Sequence, residues 1–565
     1  MIFEYRDTLS WIRGRHSLRF GFDLRHNWIA SEPSSPSGAF GTFSFQNTFT
    51  GHAYADFLYG LPRTSSRLNP APRYTASNVD SGFFIQDDFR LTKNLTLNLG
   101  LRYDLNPPYV EHNDRMFSFD PRAGALVVPS SAALQAVNPL FPASIPIVTA
   151  DKASLPASLR YADKFNLAPR VGFAWRLRAT SVIRGGYGVY TDYSTGSLFA
   201  AQVGGPFQSS ESFTNSITGG VPRFRFPRAF PPGFGTLGAQ NVSFNDPYLR
   251  LPYIQQANFT VEQELFRNWG LRLSYITTAS RKLTYSRNIN QPPASTERFT
   301  NDRRPWPALQ NIVMRDDGGN QTYHALSVVV EHKYRNGLYL QSGWTWAKNL
   351  TDVQSDSEAG AVIENQFDRR RDYSNVNYTR RHRWISNVIY EFPIGPGKRV
   401  GGDLRGLAGH LAGGWQVSAI LLFQTGGWLT PSFSGLDTSN TNTIGGRPDR
   451  LGNGNLPAEQ RSIERWFDAS AFAVPRNGFF GNSAPTIIEG HGTANIDLGL
   501  YKFIRVHERF TFRLGASATN AFNRPNFGDP DMNISSPSTV GRIRSLQSRD
   551  VAGPRTVQLS LRLDF

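Results

Sequence analysis

Apolar and polar residues alternate along much of this chain with a period of two. The clearest run is LTLNLGLRYDL at 95–105, where every second position is Leu or Tyr and the positions between are mostly polar. Successive side chains of a β-strand point to opposite faces, so this run predicts a strand with one apolar face. Similar alternation occurs at 18–25, 510–517 and 557–565, and the last of these ends on an aromatic residue, Phe565.

The same pattern predicts fifteen strands in all. They lie near residues 2–12, 17–28, 78–90, 95–105, 170–178, 182–193, 254–265, 269–278, 322–334, 338–348, 383–392, 414–425, 494–504, 509–520 and 555–565. Each is 9 to 13 residues long. Strands of globular proteins most often have about 5 to 6 residues, whereas a tilted strand that crosses a membrane needs about 9 to 11. The lengths favour strands that span a bilayer.

Short and long connections between these strands alternate without a break. The short ones have three or four residues, except for the Gly-rich segment 393–413, and the long ones include 29–77, 106–169 and 426–493. Alternate connections of an antiparallel meander lie at the same end of the sheet, so one end has tight turns and the other has long loops. This asymmetry is typical of outer-membrane barrels, with short periplasmic turns and long extracellular loops.

Aromatic residues near the predicted strand ends favour the same architecture, since rings with a polar atom suit the headgroup zone of a bilayer. They are Trp11, Trp28, Tyr103, Trp269, Tyr334, Trp344, Trp346, Tyr390 and Trp415. The pattern also fits a soluble β-sandwich, in which the apolar face, for example Leu97, Leu99 and Leu101, would be buried between two stacked sheets.

Composition excludes several classes of protein. Aromatic residues make up 13% of the 565 residues and charged residues only 18%, against about 25% in ordinary soluble domains. The longest strongly apolar stretch, 417–423, is far shorter than the roughly 20 residues of a membrane helix. The first residues do not resemble a signal peptide. The absence of Cys excludes disulfides and thiolate metal sites.

The number of predicted strands is odd. An antiparallel barrel formed by one bacterial chain has an even number of strands. We therefore expect residues 1–565 to be a single barrel domain that is incomplete at its N-terminus.

Specific sequence motifs carry a resemblance to a known family. They are YADFLYGLP (54–62), FFIQDDFRLTKNLTLNLGLRYD (83–104), WFDASAFAVP (466–475), FFGN (479–482), GHGTANIDLGLYKFI (490–504) and RFTFRLGASATNAFNRPNFGDP (509–530). With these motifs the chain resembles the Oar-like branch of TonB-dependent outer-membrane receptors over nearly its whole length.

The resemblance implies a transmembrane antiparallel β-barrel of 22 strands, of which these would be the last fifteen. It also implies an N-terminal plug, energy coupling through the TonB complex of the inner membrane and uptake of a bulky nutrient. No plug or TonB-contacting segment is visible in the sequence, so contact with TonB is expected only through a missing N-terminal region. The implied location is the outer membrane of a Gram-negative bacterium.

The last residues also resemble an assembly signal. Leu561, Leu563 and Phe565 stand at two-residue steps at the C-terminus, and this arrangement is similar to the signal that the barrel-insertion machinery recognises. An edge strand with one apolar face is suited to pair with the edge strand of that machinery.

The net charge of +16 raises the possibility of nucleic-acid binding, but the arginines are scattered rather than clustered on one element. Some, such as Arg19, Arg102, Arg513 and Arg562, are predicted to face the barrel lumen, where a missing plug could supply acidic partners. We expect no nucleic-acid partner. The expected partner of the outer face of the barrel is outer-membrane lipid.

Candidate ligand contacts lie in the long loops. Arginine attracts anions and tryptophan stacks on sugars or aromatic chelates, so we predict loop contacts from Arg303, Arg304, Trp306, Trp428 and Trp466. A ferric chelate, an oligosaccharide and a peptide fit this composition equally well.

Motifs for metal binding or catalysis are weak or missing. The spacing of Asp529, Asp531 and Asn533 resembles the start of a calcium loop, but Ile534 and Val540 occupy the Gly and Glu positions of an EF-hand. No HExxH, GxSxG or phosphate-loop motif occurs, and Asp87 and Asp88, as neighbours on a strand, should point to opposite faces.

We predict no enzyme, no cofactor and no metal centre. Two alternatives stay open: a non-transporting adhesin or scaffold barrel, and a soluble all-β carbohydrate-active enzyme.

Overall fold

The computed structural model of the chain describes residues 1–31, 40–69, 73–193, 196–232, 236–237, 240–354, 362–507, 510–547 and 553–565. Fifteen long antiparallel strands dominate it. They are β1 (Ile2–Arg13), β2 (His16–Ser31), β3 (Tyr74–Arg90), β4 (Leu95–Leu105), β5 (Leu167–Arg178), β6 (Ser181–Thr191), β7 (Tyr253–Phe266), β8 (Trp269–Asn288), β9 (Ile312–Arg335), β10 (Leu338–Thr351), β11 (His382–Glu391), β12 (Trp415–Gln424), β13 (Thr493–His507), β14 (Phe510–Thr519) and β15 (Thr556–Asp564). All fifteen predicted strands are confirmed.

Each strand pairs with the next along the chain, so the sheet is an antiparallel meander. Within the described residues, β1 pairs only with β2 and β15 only with β14. The fold is that of an outer-membrane β-barrel, as predicted. The prediction that further strands precede residue 1 stays a prediction.

Tight turns lie at one end of the sheet and long loops at the other. The turn between β9 and β10 shows how the sequence determines this: Asn336 and Gly337 both have positive φ, 52° and 82°. That is the backbone of a two-residue hairpin turn whose twist matches the strands, and it is why Asn-Gly stands there. The connection 392–414 is the long exception at this end, and it contains a helix, Gly406–Ala412.

The apolar face of the sheet is exposed. Leu99 and Leu101 in the centre of β4 are 45% and 46% exposed, and Phe83 and Ile85 beside them on β3 are each 52% exposed. A sandwich would bury these side chains between two sheets, so the soluble alternative is wrong for this fold. Of the nine predicted aromatic residues near strand ends, Trp11, Trp28, Tyr334 and Trp344 are exposed and the other five are half-buried.

The long connections fold into a layer that we call the crown, comprising the described parts of 32–73, 106–166, 192–252, 289–311, 352–381, 425–492 and 520–555. Its helices are α1 (Ala53–Leu58), α2 (Ser131–Gln135) and α3 (Gly196–Ala200); the helix of the tight-turn end is α4 (Gly406–Ala412). The short strands are Thr42–Ser44, Thr64–Asn69, Val110–Glu111, Ser118–Asp120, Ala125–Val128, Ile147–Thr149, Ser209–Thr214, Ile217–Thr218, Val221–Pro222, Thr236–Leu237, Val242–Asn245, Ser374–Asn375, Trp428–Leu429, Asp449–Arg450, Phe472–Ala473 and Ile488–Glu489. No helix among the described residues is long and apolar enough to span a membrane.

The largest hydrophobic core lies in the crown. It draws on three separate loops and includes Phe119, Leu126, Phe244, Leu309 and Ile312, which are at most 2% exposed. The strand Val242–Asn245 pairs in parallel with the start of β9 and so fixes the second loop against the sheet. The crown therefore has the packing of a small soluble domain.

Several strands continue into the crown beyond their predicted ends. β9 begins at Ile312 rather than near 322, and β8 ends at Asn288 rather than near 278. The added part of β9 reads RDDGGN at 315–320, which lacks the apolar alternation from which the strands were predicted. Its pairing with β8 contains two register shifts.

Candidate functional site on the polar face and in the crown

The polar face of the sheet carries a network of ion pairs centred on Arg102 of β4. Its guanidinium lies 2.8 Å from Asp23 on β2 and 2.7 Å from Asp104. Gly82 stands between these acids in the strand register, and a Cβ there would collide with the guanidinium. Glycine at this position thus leaves room for the arginine to bridge β2 and β4. Two carboxylates of the sheet itself therefore balance the charge of Arg102, so this arginine does not need an acidic partner from another domain.

A second set of polar contacts continues this network toward the crown. Asn27 donates to Asp80 at 2.7 Å and to Asn78 at 2.9 Å, while Thr191 of β6 donates to Asp104 at 2.7 Å. These carboxylates are buried, at 3% exposure each. The contacts join the crown-side ends of β2, β3, β4 and β6, which together form one wall of the polar face.

A cavity of about 530 Å³ adjoins this wall on the polar face. Arg6, Arg19, Gln86, Arg170 and Tyr193 are among the residues that line it. Arg19 forms an ion pair with Asp88 at 2.7 Å, and Arg170 lies over the ring of Tyr190 at 4.6 Å. Guanidinium, amide and phenol groups together suit an anionic or polyphenolic group that reaches the polar face.

The two neighbouring aspartates of β3 have separate partners. Asp88 faces the polar side and pairs with Arg19. Asp87 lies on the other face, where its Oδ2 accepts a hydrogen bond from Nδ1 of His16 at 2.6 Å. The prediction that the two carboxylates diverge is confirmed. Asp316 and Asp317 likewise bind different arginines, Arg287 at 3.0 Å and Arg250 at 2.6 Å.

Arg303 and Arg304 support the crown from within. Arg303 donates to the carbonyls of Pro293, Glu297 and Asn440, each at 2.8 Å, and so joins two loops. Arg304 is 3% exposed and donates to the carbonyls of Asn290 and Gln310. Burial lowers the pKa of the Arg304 guanidinium. Direct ligand contact by either residue stays a prediction, and in this conformation Arg304 presents almost no surface to a ligand.

The three predicted tryptophans are half-buried and do not form one site. Trp306 packs edge-on against Phe119, with 5.2 Å between ring centroids, beside the largest crown core. Trp428 stacks under Arg381 at 5.4 Å. Trp466 donates its indole N–H to the carbonyl of Glu489 at 2.7 Å. Their ligand contacts also stay predictions.

Trp466 lies in a second cavity, of about 540 Å³, at the rim between crown and sheet. Trp384 and Phe423 of the sheet and Arg461 and His491 of the crown also line it. The Trp466 and His491 rings lie 5.1 Å apart. Burial lowers the pKa of His491. Sequence reasoning missed His491 because its partners come from distant segments, and its only local signal is the motif GHGTANID.

A buried ion cluster connects the loops 352–381 and 425–492. Arg447 lies 2.9 Å from Glu364 and 2.8 Å from Asp372, and Glu364 also pairs with Arg371 at 3.4 Å. All four side chains are at most 14% exposed. Burial raises the pKa of Asp372 and lowers the pKa of Arg371.

The possible calcium loop is used for local structure. Asp531 accepts hydrogen bonds from the Asn533 amide, at 3.0 Å, and from the Thr539 hydroxyl, which close the turn. In the part of the chain that the structure describes, no three His, Asp or Glu side chains are grouped as metal ligands.

Leu561 and Leu563 of the proposed assembly signal lie on the exposed edge strand β15, and Phe565 follows the last residue of this strand. Leu561 and Leu563 are 68% and 42% exposed, and Phe565 is 94% exposed. Recognition by the insertion machinery stays a prediction.

Comparison with known proteins agrees with this geometry. The fold is similar to that of the outer membrane transporter YddB from Escherichia coli, at 10% identity and a TM-score of 0.51, over 100% of this chain and 54% of that chain. It is also similar to the pyoverdine outer membrane receptor FpvA from Pseudomonas aeruginosa, at 11% identity and a TM-score of 0.46, over 100% of this chain and 52% of that chain. The chain thus spans about half the length of these two proteins, and the likeness concerns the fold alone.

At the level of sequence, no curated protein matches the chain. The profile of one family, described as an outer membrane beta barrel domain, matches residues 1–558. The chain therefore belongs to the outer membrane beta barrel domain family and resides in the outer membrane of a Gram-negative bacterium.

Proposed function

We propose that this chain is the barrel part of a TonB-dependent receptor that takes up a bulky nutrient with energy coupling. The observation that carries the proposal is the arrangement of a packed crown above a polar sheet face that bears its own ion-pair network. In this arrangement a ligand would first contact the crown and would then pass along the polar face of the sheet. YddB, whose fold is similar, is an outer membrane transporter by name.

The proposed ligand class is a ferric chelate, an oligosaccharide or a peptide. Among these, the arginines of the polar cavity, Arg19 and Arg170, favour a ligand with negative charge. Contact with the TonB complex would run through an N-terminal plug. The barrel-insertion machinery would recognise β15 through Leu561, Leu563 and Phe565.

Uptake by cells tests the proposal. We expect a strain that lacks the gene to lose accumulation of one labelled ferric chelate, oligosaccharide or peptide from a panel, and a strain with the gene to lose it when the proton gradient is collapsed. The variant Arg170→Gln should weaken uptake of an anionic ligand, while Arg184→Gln serves as the control, because Arg184 lies on the same face of the sheet outside this cavity and is paired with Glu262. Uptake that is equal with and without the gene would contradict transport.

The second candidate is an adhesin or scaffold that displays its loops. The rigid support of the crown by Arg303, Arg304 and Arg447 favours this function, because display needs a fixed loop surface. Cells with the gene would then adhere to a surface or partner without accumulating any labelled nutrient.

A further inference from the structure

The connection 392–414 differs from every other tight-turn connection of the described chain, because it contains a helix, α4, with exposed leucines. Leu407 and Leu411 are 76% and 65% exposed. They stand four residues apart and so share one face of the helix. Gly409, halfway between them, lies on the opposite face and is buried against Pro396 and Leu404 of the same connection. The helix thus packs on its own connection and leaves its leucine face uncovered.

The end of α4 is attached to the apolar face of the sheet. Trp415 donates its indole N–H to the carbonyl of Leu411 at 3.0 Å. The Lys502 ammonium donates to the same carbonyl at 2.9 Å and to that of Gly413, and it lies 4.8 Å from the centre of the Trp415 ring. Two side chains from neighbouring strands therefore cap one helix end.

The strand register shows which face these two side chains occupy. Trp415 pairs directly with Lys502, Lys502 with Leu514, and Leu514 with Leu561. Directly opposed residues of antiparallel strands share a face. Leu514 and Leu561 are 44% and 68% exposed, so this is the apolar outer face that contacts lipid in an outer-membrane protein. The helix is consequently docked beside the lipid-contacting surface rather than under the polar face.

The charge around α4 matches the headgroup zone of a membrane. Lys398, Arg399 and Arg405 of the connection are all exposed, against one acidic residue in it, Asp403. Ile394 and Val400 add exposed apolar surface of 37% and 53%. Apolar side chains at acyl depth with basic residues at phosphate depth are the features of a helix that lies in a membrane interface.

We propose that α4 is an interfacial anchor, with Leu407 and Leu411 inserted at the acyl boundary of the periplasmic leaflet and the basic residues bound to lipid phosphate. The occupant is phospholipid because the leucine face continues the lipid-contacting surface of β12 to β15 and the connection carries a net positive charge. This inference depends on the outer-membrane location and not on transport.

Depth-dependent fluorescence quenching tests the anchor. Because the chain has no Cys, Leu407→Cys, Leu411→Cys and, in the crown, Leu436→Cys each give one labelling site. Leu436 is 55% exposed and serves as the matched control. Each purified full chain is labelled with a solvent-sensitive dye and placed in vesicles of phosphatidylcholine and phosphatidylglycerol at 7:3, after its heat-dependent gel shift confirms folding. We expect nitroxide lipids to quench the dye at 407 and 411 severalfold more than at 436, and aqueous iodide to do the reverse.

Two results would overturn the proposal. Emission at 407 as water-like as at 436 would show that the helix is in solution. Emission at 407 that resists both lipid and aqueous quenchers would show that a protein segment covers it. For the phosphate contacts, the triple variant Lys398→Gln, Arg399→Gln, Arg405→Gln should lower lipid quenching at 407 at least twofold; unchanged quenching would overturn that part.

Discussion

The sheet and the crown differ in the exposure of their apolar side chains. On the sheet, Leu99 and Leu101 are nearly half exposed, whereas Phe119, Phe244 and Leu309 in the crown are buried. Burial of such a side chain away from water stabilises a protein by about 1.5 to 3 kcal/mol. The crown gains this stabilisation from its own packing, but the sheet gains it only when lipid covers its outer face. One chain therefore contains a region that folds like a soluble domain and a region that requires a membrane.

The largest effect that separates the two regions should come from the crown core. Phe119→Ala leaves a cavity in a closely packed cluster and should cost about 3 to 5 kcal/mol of crown stability. We expect the crown to become sensitive to limited proteolysis while the heat-dependent gel shift of the barrel persists. Phe165→Ala, in the same loop but at a 90% exposed position, should change neither measurement. Loss of the gel shift in the Phe119 variant would show that the regions are not separable.

The buried ion cluster should come next. Glu364→Ala leaves Arg447 and Arg371 without their shared carboxylate, and removal of one partner of a buried pair costs about 3 kcal/mol or more. Hydrogen exchange should increase in the loops 352–381 and 425–492. The matched control is Glu464→Ala, because the Glu464–Arg542 pair is exposed and should contribute less than about 1 kcal/mol. Equal exchange in the two variants would contradict a structural role for the cluster.

A charge on the outer face should affect the sheet and not the crown. Leu101→Arg places a cation near the middle of β4 on the lipid-contacting face, which costs about 2 to 4 kcal/mol at the bilayer midplane. Urea unfolding in vesicles measures this change. Ser274→Arg, on the polar face of β8 opposite the neutral side chains of Thr260 and Ser327, should leave the unfolding free energy almost unchanged. A reversed order of the two variants would mean that the faces are assigned the wrong way round.

The smallest effect concerns pH. Burial lowers the pKa of His491 in the folded crown below its ordinary value near 6.5. The neutral form is therefore favoured on folding, and stability at this site is complete above the unfolded pKa and falls as the pH drops below it. We expect the fluorescence of Trp466, which contacts His491, to report a lower crown melting temperature at pH 5.5 than at pH 7.5. The difference should shrink in His491→Gln; an undiminished difference would contradict this role of His491.

The sequence predicted the sheet far better than the crown, for a physical reason. In β4 lipid and water impose a strict two-residue period, so Leu95 to Leu105 could be recognised from local pattern alone. In the crown, Phe119, Phe244 and Leu309 come from three loops that have no period, and only folding brings them together. The ends of β8 and β9 were missed where the strands leave the lipid zone and the period disappears.

Candidate contacts were harder still to predict, because residue type does not determine exposure. Arg303 and Arg304 are neighbours of the same type in one loop. The structure buries the second almost completely, and the carbonyl groups that bind them come from residues as far away as Asn440. No local signal in the sequence separates a supporting arginine from one that meets a ligand.

The three-loop origin of the crown core has a mechanical consequence. The loops 106–166, 192–252 and 289–311 begin and end on β4 to β9. One hydrophobic cluster therefore links the crown-side ends of six consecutive strands. If any two neighbouring strands among the six separated sideways, the packing of this cluster would be disrupted. During biogenesis the three loops can pack together only after all six strands have crossed the bilayer. Formation of this core is therefore a late step in assembly, and it stabilises the six strands against separation.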